Sequence, residues 1–399
     1  MISAVEKMME TYWDKIVEYR RWLHAHPELS EQEKGTAAYV AQELRSMGLT
    51  PAENIGGCGV TAVIEGEKPG KCVGLRADFD ALPVTECAGL SFASQNPGVM
   101  HACGHDVHAA MLLGTAHVLC DLRHQFCGAV KLIFQPAEET VGGAEKMIAE
   151  GVLQNPAVDA VIGQHVDAEL PTGTIAFRED TIMASCDDFA ITIHGKGGHA
   201  SAPENAVDAI AIGAQVVSAL QQIVSRNVSA QDSAVITIGT VAGGTASNVI
   251  AETVEMTGTC RNLNPEVRTA MPGRMESIIR GVAEGMGAAY TFKYEKGYPP
   301  VVNHAAMCDL LRCAAEETVG AENVVVLKKA SLGAEDFAFF AERVPSVFYR
   351  LGCLREGEKA WPLHNGHFCP DEDAMKTGIL VMTTAALRFL QQGAGVSEL

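Results

Sequence analysis

An apolar helix headed by metal-type side chains is the feature that most limits what this chain can become. From Met100 the sequence reads Met-His-Ala-Cys-Gly-His-Asp-Val-His and runs straight into Ala109-Ala110-Met111-Leu112-Leu113-Gly114. Three histidines, one cysteine and one aspartate fall within the eight residues 101–108. The helix to about Leu122 is apolar nearly all round, and a helix without a polar face belongs in the interior. A soluble core has no use for such a density of ligands at its edge. Thiolate and imidazole are the side chains that Zn²⁺ and other late first-row divalent ions prefer, with manganese and nickel also suited. The plainer alternative is a buried Cys103 thiol beside histidines that merely cap the helix.

Around this stretch, strands alternate with helices. Residues 3–22 and 31–47 read as amphipathic helices, and Ser30 with Glu33 three places on forms a capping box for the second. Val60–Ile64 and Cys72–Leu75 read as strands joined by the turn Glu67-Lys68-Pro69-Gly70. The second of them runs on into Asp78 and Asp80. Val130–Phe134 and Ala160–Gly163 are further strands, with a helix at about 143–150 between them. This alternation predicts an α/β fold with a mostly parallel sheet between helices, whose active groups gather at the carboxyl ends of strands.

From about 184 the texture changes. Asp188–His194, Ala234–Val241, Val249–Arg261 and Ala289–Glu295 read as strands. A long helix covers Glu204–Arg226, and another lies within 266–286, where Pro272 kinks it or marks its start. The order β-α-β-β-α-β is the ferredoxin-like pattern. A chain of 399 residues exceeds the size at which one core keeps growing. The expected division is a catalytic domain from residues 1–183 and 297–399, with residues 184–296 inserted as a second domain.

Candidate ligands accumulate at element ends: Cys103, His105, Glu139, His165 and, much later, His364. A single histidine after a strand is more often an ordinary surface residue; five such groups favour a metal site. Glu138-Glu139 would by itself pass for a solvated loop. Beside a metal, one carboxylate can be a ligand while its neighbour acts as general base. A metal brings the pKa of bound water down to about 7, and a carboxylate can then take its proton as it attacks a carbonyl.

Four blocks now carry a specific resemblance: Met100-His101-Ala102-Cys103-Gly104-His105-Asp106, Gln135-Pro136-Ala137-Glu138-Glu139, Gly195-Lys196-Gly197-Gly198-His199-Ala200-Ser201 and Gly333-Ala334-Glu335-Asp336-Phe337. In order and spacing they resemble the N-acyl-amino-acid amidohydrolases, a family of dinuclear metallopeptidases that includes hippurate hydrolases, aminoacylases and indole-acetyl-amino-acid hydrolases. The resemblance implies a metallopeptidase catalytic domain with two divalent metal ions per subunit (Mn, Zn, Ni or Co), the inserted domain serving as lid and dimerisation surface. It implies that Cys103, His105, Glu139, His165 and His364 hold the metals, that Glu138 is the general base, and that Asp80 orients a ligand from behind. His199 matches a histidine that reaches the partner subunit's active site and polarises the scissile carbonyl. Asn248 and Arg261 resemble lid residues that hold the substrate and its carboxylate. Asp78 stands near where related branches place a histidine ligand. The sequence departs from the family twice: His364-Asn365-Gly366-His367 replaces the common His-Ser-Pro, which makes His367 a stand-in candidate, and Ala251 stands where a proline is common.

The implied reaction is hydrolysis of the amide of an N-acyl or N-aroyl amino acid to a carboxylic acid and a free amino acid, with metal-bound water as nucleophile. A dipeptidase or carboxypeptidase on the same scaffold is the neighbouring alternative. Thiol catalysis by Cys103 with His105 as base would leave the paired glutamates and distant histidines idle. A binding protein built on a decayed hydrolase would be expected to have lost one of these groups. Charge narrows the partners further: 30 Lys plus Arg against 49 Asp plus Glu give a net charge of −19. Such an excess argues against nucleic acid and anionic membranes and says nothing specific about substrate; it is the resemblance that implies a small-molecule N-acyl amino acid substrate and a homodimer or higher homo-oligomer. The 12 cysteines include no CxxC pair, the pattern of free thiols in a reducing compartment, and the charged N-terminal residues suit no secretory signal. The expected location is cytoplasmic.

Overall fold

The structure, a computed structural model, describes residues 2–140 and 142–393. Residue 1 and residues 394–399, the ends of the expected catalytic domain, lie outside the described residues. Two compact units emerge. The first comprises Met1–Asp180, Val302–Lys328 and Asp336–Leu399; the second comprises Thr181–Val301 and Lys329–Glu335.

The first unit opens with α1 (Ile2–Ala25), α2 (Lys34–Ser46), β1 (Ala52–Ile55), β2 (Gly59–Glu65), β3 (Cys72–Asp78) and α3 (His105–Leu122). It continues with β4 (Ala129–Gln135), α4 (Gly143–Ala149), β5 (Ala160–Pro171) and β6 (Ile175–Phe177). After β7 (Asp180–Met183), the second unit supplies β8 (Asp187–His194), β9 (Gly198–His199), α5 (Ala209–Gln222), β10 (Ala234–Gly243), β11 (Val249–Ile250), β12 (Thr253–Asn262), α6 (Pro265–Gly285) and β13 (Ala289–Lys296). The chain then adds β14 (Val301–Asn303), α7 (Ala305–Val319), β15 (Val324–Val326), α8 (Ala338–Ala341), β16 (Ser346–Leu354) and α9 (Ala374–Gly393).

The sheet of the first unit has the order β1-β2-β4-β3-β5-β16-β6-β15. At its centre β4, β3, β5 and β16 run parallel, and every residue of β3 is buried. A strand covered on both faces can be apolar at successive positions, as Val73-Gly74-Leu75 is. The expectation of a mostly parallel sheet between helices is met. Nearly all of α3 is buried too, packed against α1, α9 and β3, as its all-round apolar surface requires. Among the described residues no helix is long and apolar enough to cross a membrane.

In the second unit the sheet order is β10-β12-β8-β13 and every pairing is antiparallel. With α5 and α6 in the chain order β-α-β-β-α-β, this is ferredoxin-like topology. β8 alternates cleanly: Asp187, Phe189, Ile191 and Ile193 are buried and the residues between them are not. Those buried apolar residues join Val216, Leu220, Met271, Met275 and Ile279 from the helices in a core of their own.

Several local expectations need correction. The capping box does not form: α2 starts at Lys34, and Glu33 occupies the cap position without a side-chain bond to the helix. Glu31 has a φ of 66°, so the chain turns there and carries Ser30 away from the first helical turn. The Glu28 carboxylate caps instead, accepting from Gly35 N at 3.1 Å and Thr36 N at 2.7 Å. α5 begins at Ala209, where Asp208 accepts from Ile210 N and Ala211 N, and not at Glu204. Val249–Arg261 is two strands, because β11 pairs with β9 while β12 pairs with β8 and β10. Pro272 lies inside α6, whose true start is Pro265 behind the Asn264 cap. β1 has no counterpart among the expected strands; its sequence Ala-Glu-Asn-Ile carries too little apolar signal to read as one.

Candidate metal centre

The carboxyl ends of β3, β4 and β5 and the head of α3 bring the candidate ligands of the first unit together. Cys103 and His105 flank Gly104, which sits at φ 82°. A Cβ on Gly104 would lie 2.5 Å from Val166 Cγ2, so both the left-handed backbone and the close approach to β5 call for glycine. That approach puts Cys103 Sγ 3.4 Å from His165 Nε2. Ligand atoms of Cys103, His105 and His165 lie within 4.8 Å of one another, as do those of Cys103, Glu139 and His364 and those of His105, Glu138 and Glu139. All five candidate ligands and the candidate base therefore converge on one place.

The two buried candidate histidines, His105 and His165, are each held from behind. His105 Nδ1 donates to the Asp80 carbonyl at 2.9 Å and lies 3.1 Å from Asp80 Oδ1. This fixes the tautomer and turns Nε2 toward the cluster. His165 Nδ1 donates to the Val166 carbonyl at 2.7 Å, leaving its Nε2 facing Cys103. Asp80 also accepts from Glu139 N at 3.0 Å and from the Ser30 hydroxyl at 2.7 Å. One carboxylate thus touches both His105 and the backbone of Glu139. On the far side, His364 has a φ of 64°, donates its backbone N–H to the Ala102 carbonyl at 2.8 Å, and places Nε2 3.3 Å from Glu139 Oε1. His367 turns away and stacks on Trp361, ring centres 4.6 Å apart.

Asp78 takes part through another histidine. His108 Nδ1 donates to Asp78 Oδ1 at 2.6 Å, and His108 Nε2 accepts from Val166 N at 2.9 Å. Both ring nitrogens of His108 are engaged, so it braces β5 and has no lone pair for an ion. Asp78 Oδ2 accepts from Arg76 at 2.6 Å, and Arg76 also reaches Asp336 at 3.0 Å. Asp336 in turn accepts from Gln135 and from Ala144 N. Sequence reading assigns no part in the site to His108, Arg76 or Glu33. For His108 a signal is present: three residues after His105, it lies on the same helix face.

The donor set fits a divalent ion. His105 Nε2 and Glu139 Oε1 lie 3.9 Å apart; the second has His364 Nε2 at 3.3 Å, and the first is buried without any hydrogen-bond partner. Polar atoms are rarely left so in a protein interior, since each costs free energy until something satisfies it. The electrostatics agree. Cys103 and Glu139 push His364 up to about 10. Against burial, which works to lower it, Asp78 and Asp80 hold His105 well above the usual imidazole range. Burial pushes the Cys103 thiol up and, with His108 and Arg350 nearby, drives His165 down. A thiolate, imidazoles and carboxylates are the ligands that Zn²⁺ and its neighbours accept.

The three candidates in the second unit have different surroundings. His199 in β9 is exposed, and its Nδ1 accepts from Ser201 N at 3.1 Å and lies 2.7 Å from the Ser201 hydroxyl. Its strand pairs with β11 in the register Val249↔His199, and Ala200 N donates to the Asn248 carbonyl at 3.1 Å. His199 and Asn248 are therefore neighbours. Arg261 lies on β12, opposite Val235, with its guanidinium on Thr259 and the Cys260 carbonyl.

The family model of peptidase family M20/M25/M40 matches residues 74–388, which include every residue just described except those of α1 and α2 and the loop between them. The chain belongs to this family. An M20 relative, the N-acyl-L-amino acid amidohydrolase of Geobacillus stearothermophilus, is 44% identical over 76% of this chain and 81% of its own. Thermostable carboxypeptidase 2 of Saccharolobus solfataricus is 40% identical over 98% of this chain and 99% of its own. Among solved structures, a dinuclear metal-binding M20 peptidase of Bacillus subtilis superposes with a TM-score of 0.84 at 36% identity, covering 96% of this chain and 99% of that one. The expectation of a metal-dependent hydrolase of this family is borne out.

Proposed function

We propose that the protein hydrolyses the amide bond of N-acyl amino acids, releasing a carboxylic acid and a free amino acid, at a centre of two divalent metal ions. The observation that carries this reading is the cluster of five donors, with Cys103, His105 and His165 buried and His105 Nε2 left without a hydrogen-bond partner at its heart. The relatives named for N-acyl amino acids and for dinuclear metal binding support it.

In this reading Cys103, His105, Glu139, His165 and His364 hold the ions. Bound there, the ions supply a Lewis acid for the amide carbonyl and bring the pKa of water down toward 7. Glu138, buried beside Glu139, takes the proton of the attacking water on a carboxylate oxygen and delivers it to the departing amide nitrogen. Asp80 keeps His105 and the Glu139 backbone aligned. The inserted domain, residues 184–296, serves as the lid of a homodimer. From it His199 polarises the carbonyl in the partner subunit's site, while Asn248 and Arg261 hold the substrate and its carboxylate.

A carboxypeptidase reading is favoured by one observation, the 40% identity to a carboxypeptidase over nearly the whole chain. Metal analysis of purified protein, coupled to hydrolysis of a panel of N-acetyl, N-benzoyl and indole-acetyl amino acids beside dipeptides and blocked peptides, separates the two. Turnover of peptides with none of the N-acyl amino acids would overturn the amidohydrolase reading.

A further inference from the structure

The loop carrying Glu138 and Glu139 departs from ordinary backbone geometry just before them. Ala137 has a φ of 55°, a left-handed conformation that is unfavourable for a residue with a Cβ and persists only where its surroundings impose it. Ala137 is buried at 2% exposure, and its carbonyl accepts from Gly142 N and Gly143 N at 3.2 Å each. Its N–H donates to Glu33 Oε1 at 2.8 Å. Glu33 comes from the cap position of α2, 104 residues earlier in the chain, and is fully buried. A cap residue normally turns its side chain onto its own helix. Glu33 does not; Glu28 has taken that task. A buried carboxyl released from capping and turned onto a backbone N–H next to paired glutamates has a purpose outside its helix.

We propose that Glu33 is a positioning residue for the reaction: by holding the Ala137 N–H it fixes the left-handed turn that sets where Glu138 points. Two carboxylates grip this loop by alternate peptides, Glu33 at Ala137 and Asp80 at Glu139. The grip at Glu139 comes from the group that also holds His105. The grip at Ala137 is independent of the ligands and bears on Glu138 alone among the reacting groups through one peptide. Burial, with Asp80 adding to it, pushes the Glu33 carboxyl up to about 7. What the Ala137 N–H needs at 2.8 Å is a carbonyl-type oxygen at the end of a side chain of this length, so glutamine should replace glutamate.

The inference rests on reading Glu138 as the base, so the test carries Glu138→Gln alongside. Glu33→Met keeps length and volume and removes the acceptor. It should lower kcat roughly 10²-fold, the scale of a reacting group displaced by about 1 Å, with KM and metal content little changed. Glu33→Gln should retain most of the rate. Amide hydrogen exchange in metal-free protein should show Ala137 protected in the parent and in Glu33→Gln, and faster in Glu33→Met. Glycine adopts positive φ without steric cost, so adding Ala137→Gly to Glu33→Met should restore part of kcat. A loss of rate accounted for by a smaller folded fraction, with Glu33→Gln as poor as Glu33→Met, would mark Glu33 as a plain structural residue and overturn the proposal. So would a Glu33→Met enzyme within twofold of the parent while Glu138→Gln is inactive. If neither Glu33→Met nor its Ala137→Gly double folds, Glu33 serves the fold and the proposal falls. An active Glu138→Gln enzyme would instead overturn the base assignment, and the exchange at Ala137 would still report whether Glu33 holds the turn.

Discussion

The two units differ in how they hold most of their candidate residues, although His364 in the first is exposed and Arg261 in the second is half-buried. In the first, Cys103, His105, His165 and Glu138 are buried, and the histidines among them are held from behind by Asp80 and by a backbone carbonyl. In the second, His199 is exposed and Asn248 stands with it on a short two-stranded ribbon. A site that must hold ions benefits from groups already turned to face them, because nothing is then spent on reorientation when charge arrives. Dry surroundings also strengthen every charge placed there. Residues that serve a substrate have to remain reachable. The proposed donors Cys103, His105, Glu139, His165 and His364 all belong to the first unit.

Metal removal breaks the comparison most severely. Exhaustive chelation should abolish hydrolysis, and Mn²⁺, Zn²⁺, Co²⁺ or Ni²⁺ should restore it; full turnover by rigorously metal-free protein would remove the basis of the proposed reaction. Next in size, Glu138→Gln should cost about 10²–10⁴ in turnover while metal content, read by elemental analysis, stays near that of the parent. Glu139→Gln should instead lower occupancy, since it deletes a donor whose Oε1 faces both His105 and His364. Equal metal loss in both variants would erase the distinction between base and ligand.

His199→Ala sharpens the contrast from the other side. Losing a donor to the developing oxyanion costs about 10²–10³ in turnover, here with metal content untouched. Mixing this variant with Glu138→Gln and letting subunits exchange should restore activity, as one site of the heterodimer then has both groups. Heterodimers without activity would place His199 outside the partner's site.

The smallest effect concerns the support behind α3. His24 lies 2.8 Å from Asp106 Oδ2 and 3.3 Å from Glu86 Oε1. Burial works to lower its pKa, but these carboxylates hold it above the usual imidazole range. A group raised in the folded state contributes stability that is complete below its unfolded value of about 6.5 and is lost as pH rises through its folded value. The melting-temperature gap between the parent and His24→Gln should therefore be largest in mild acid and narrow toward alkaline pH, by a few °C at most. A gap that widens with pH would show that His24 is buried neutral.

Much of the fold and of the candidate site is legible in the order of residues. An apolar helix with no polar face must be buried, and ligand-type residues at its head and at strand ends must then meet where strands end. Local pattern alone carries that argument, and Cys103, His105, Glu139, His165 and His364 do meet there. The alternation of Asp187–His194 likewise announces a half-buried strand, because a period of two is a local property. What local pattern cannot decide is which of several polar neighbours a side chain will choose. Ser30 and Glu33 have the spacing of a capping box, yet one goes to Asp80 and the other to Ala137. Glu31 turns the chain there, and buried N–H groups of a loop 104 residues away have to be satisfied. His108 has the composition of a ligand, and only the position of Val166 on β5 makes it a brace. The sequence by itself determined which groups were available and which face of each element would be buried. The tertiary structure decided their partners, because a hydrogen bond depends on distances between segments that sequence order does not specify.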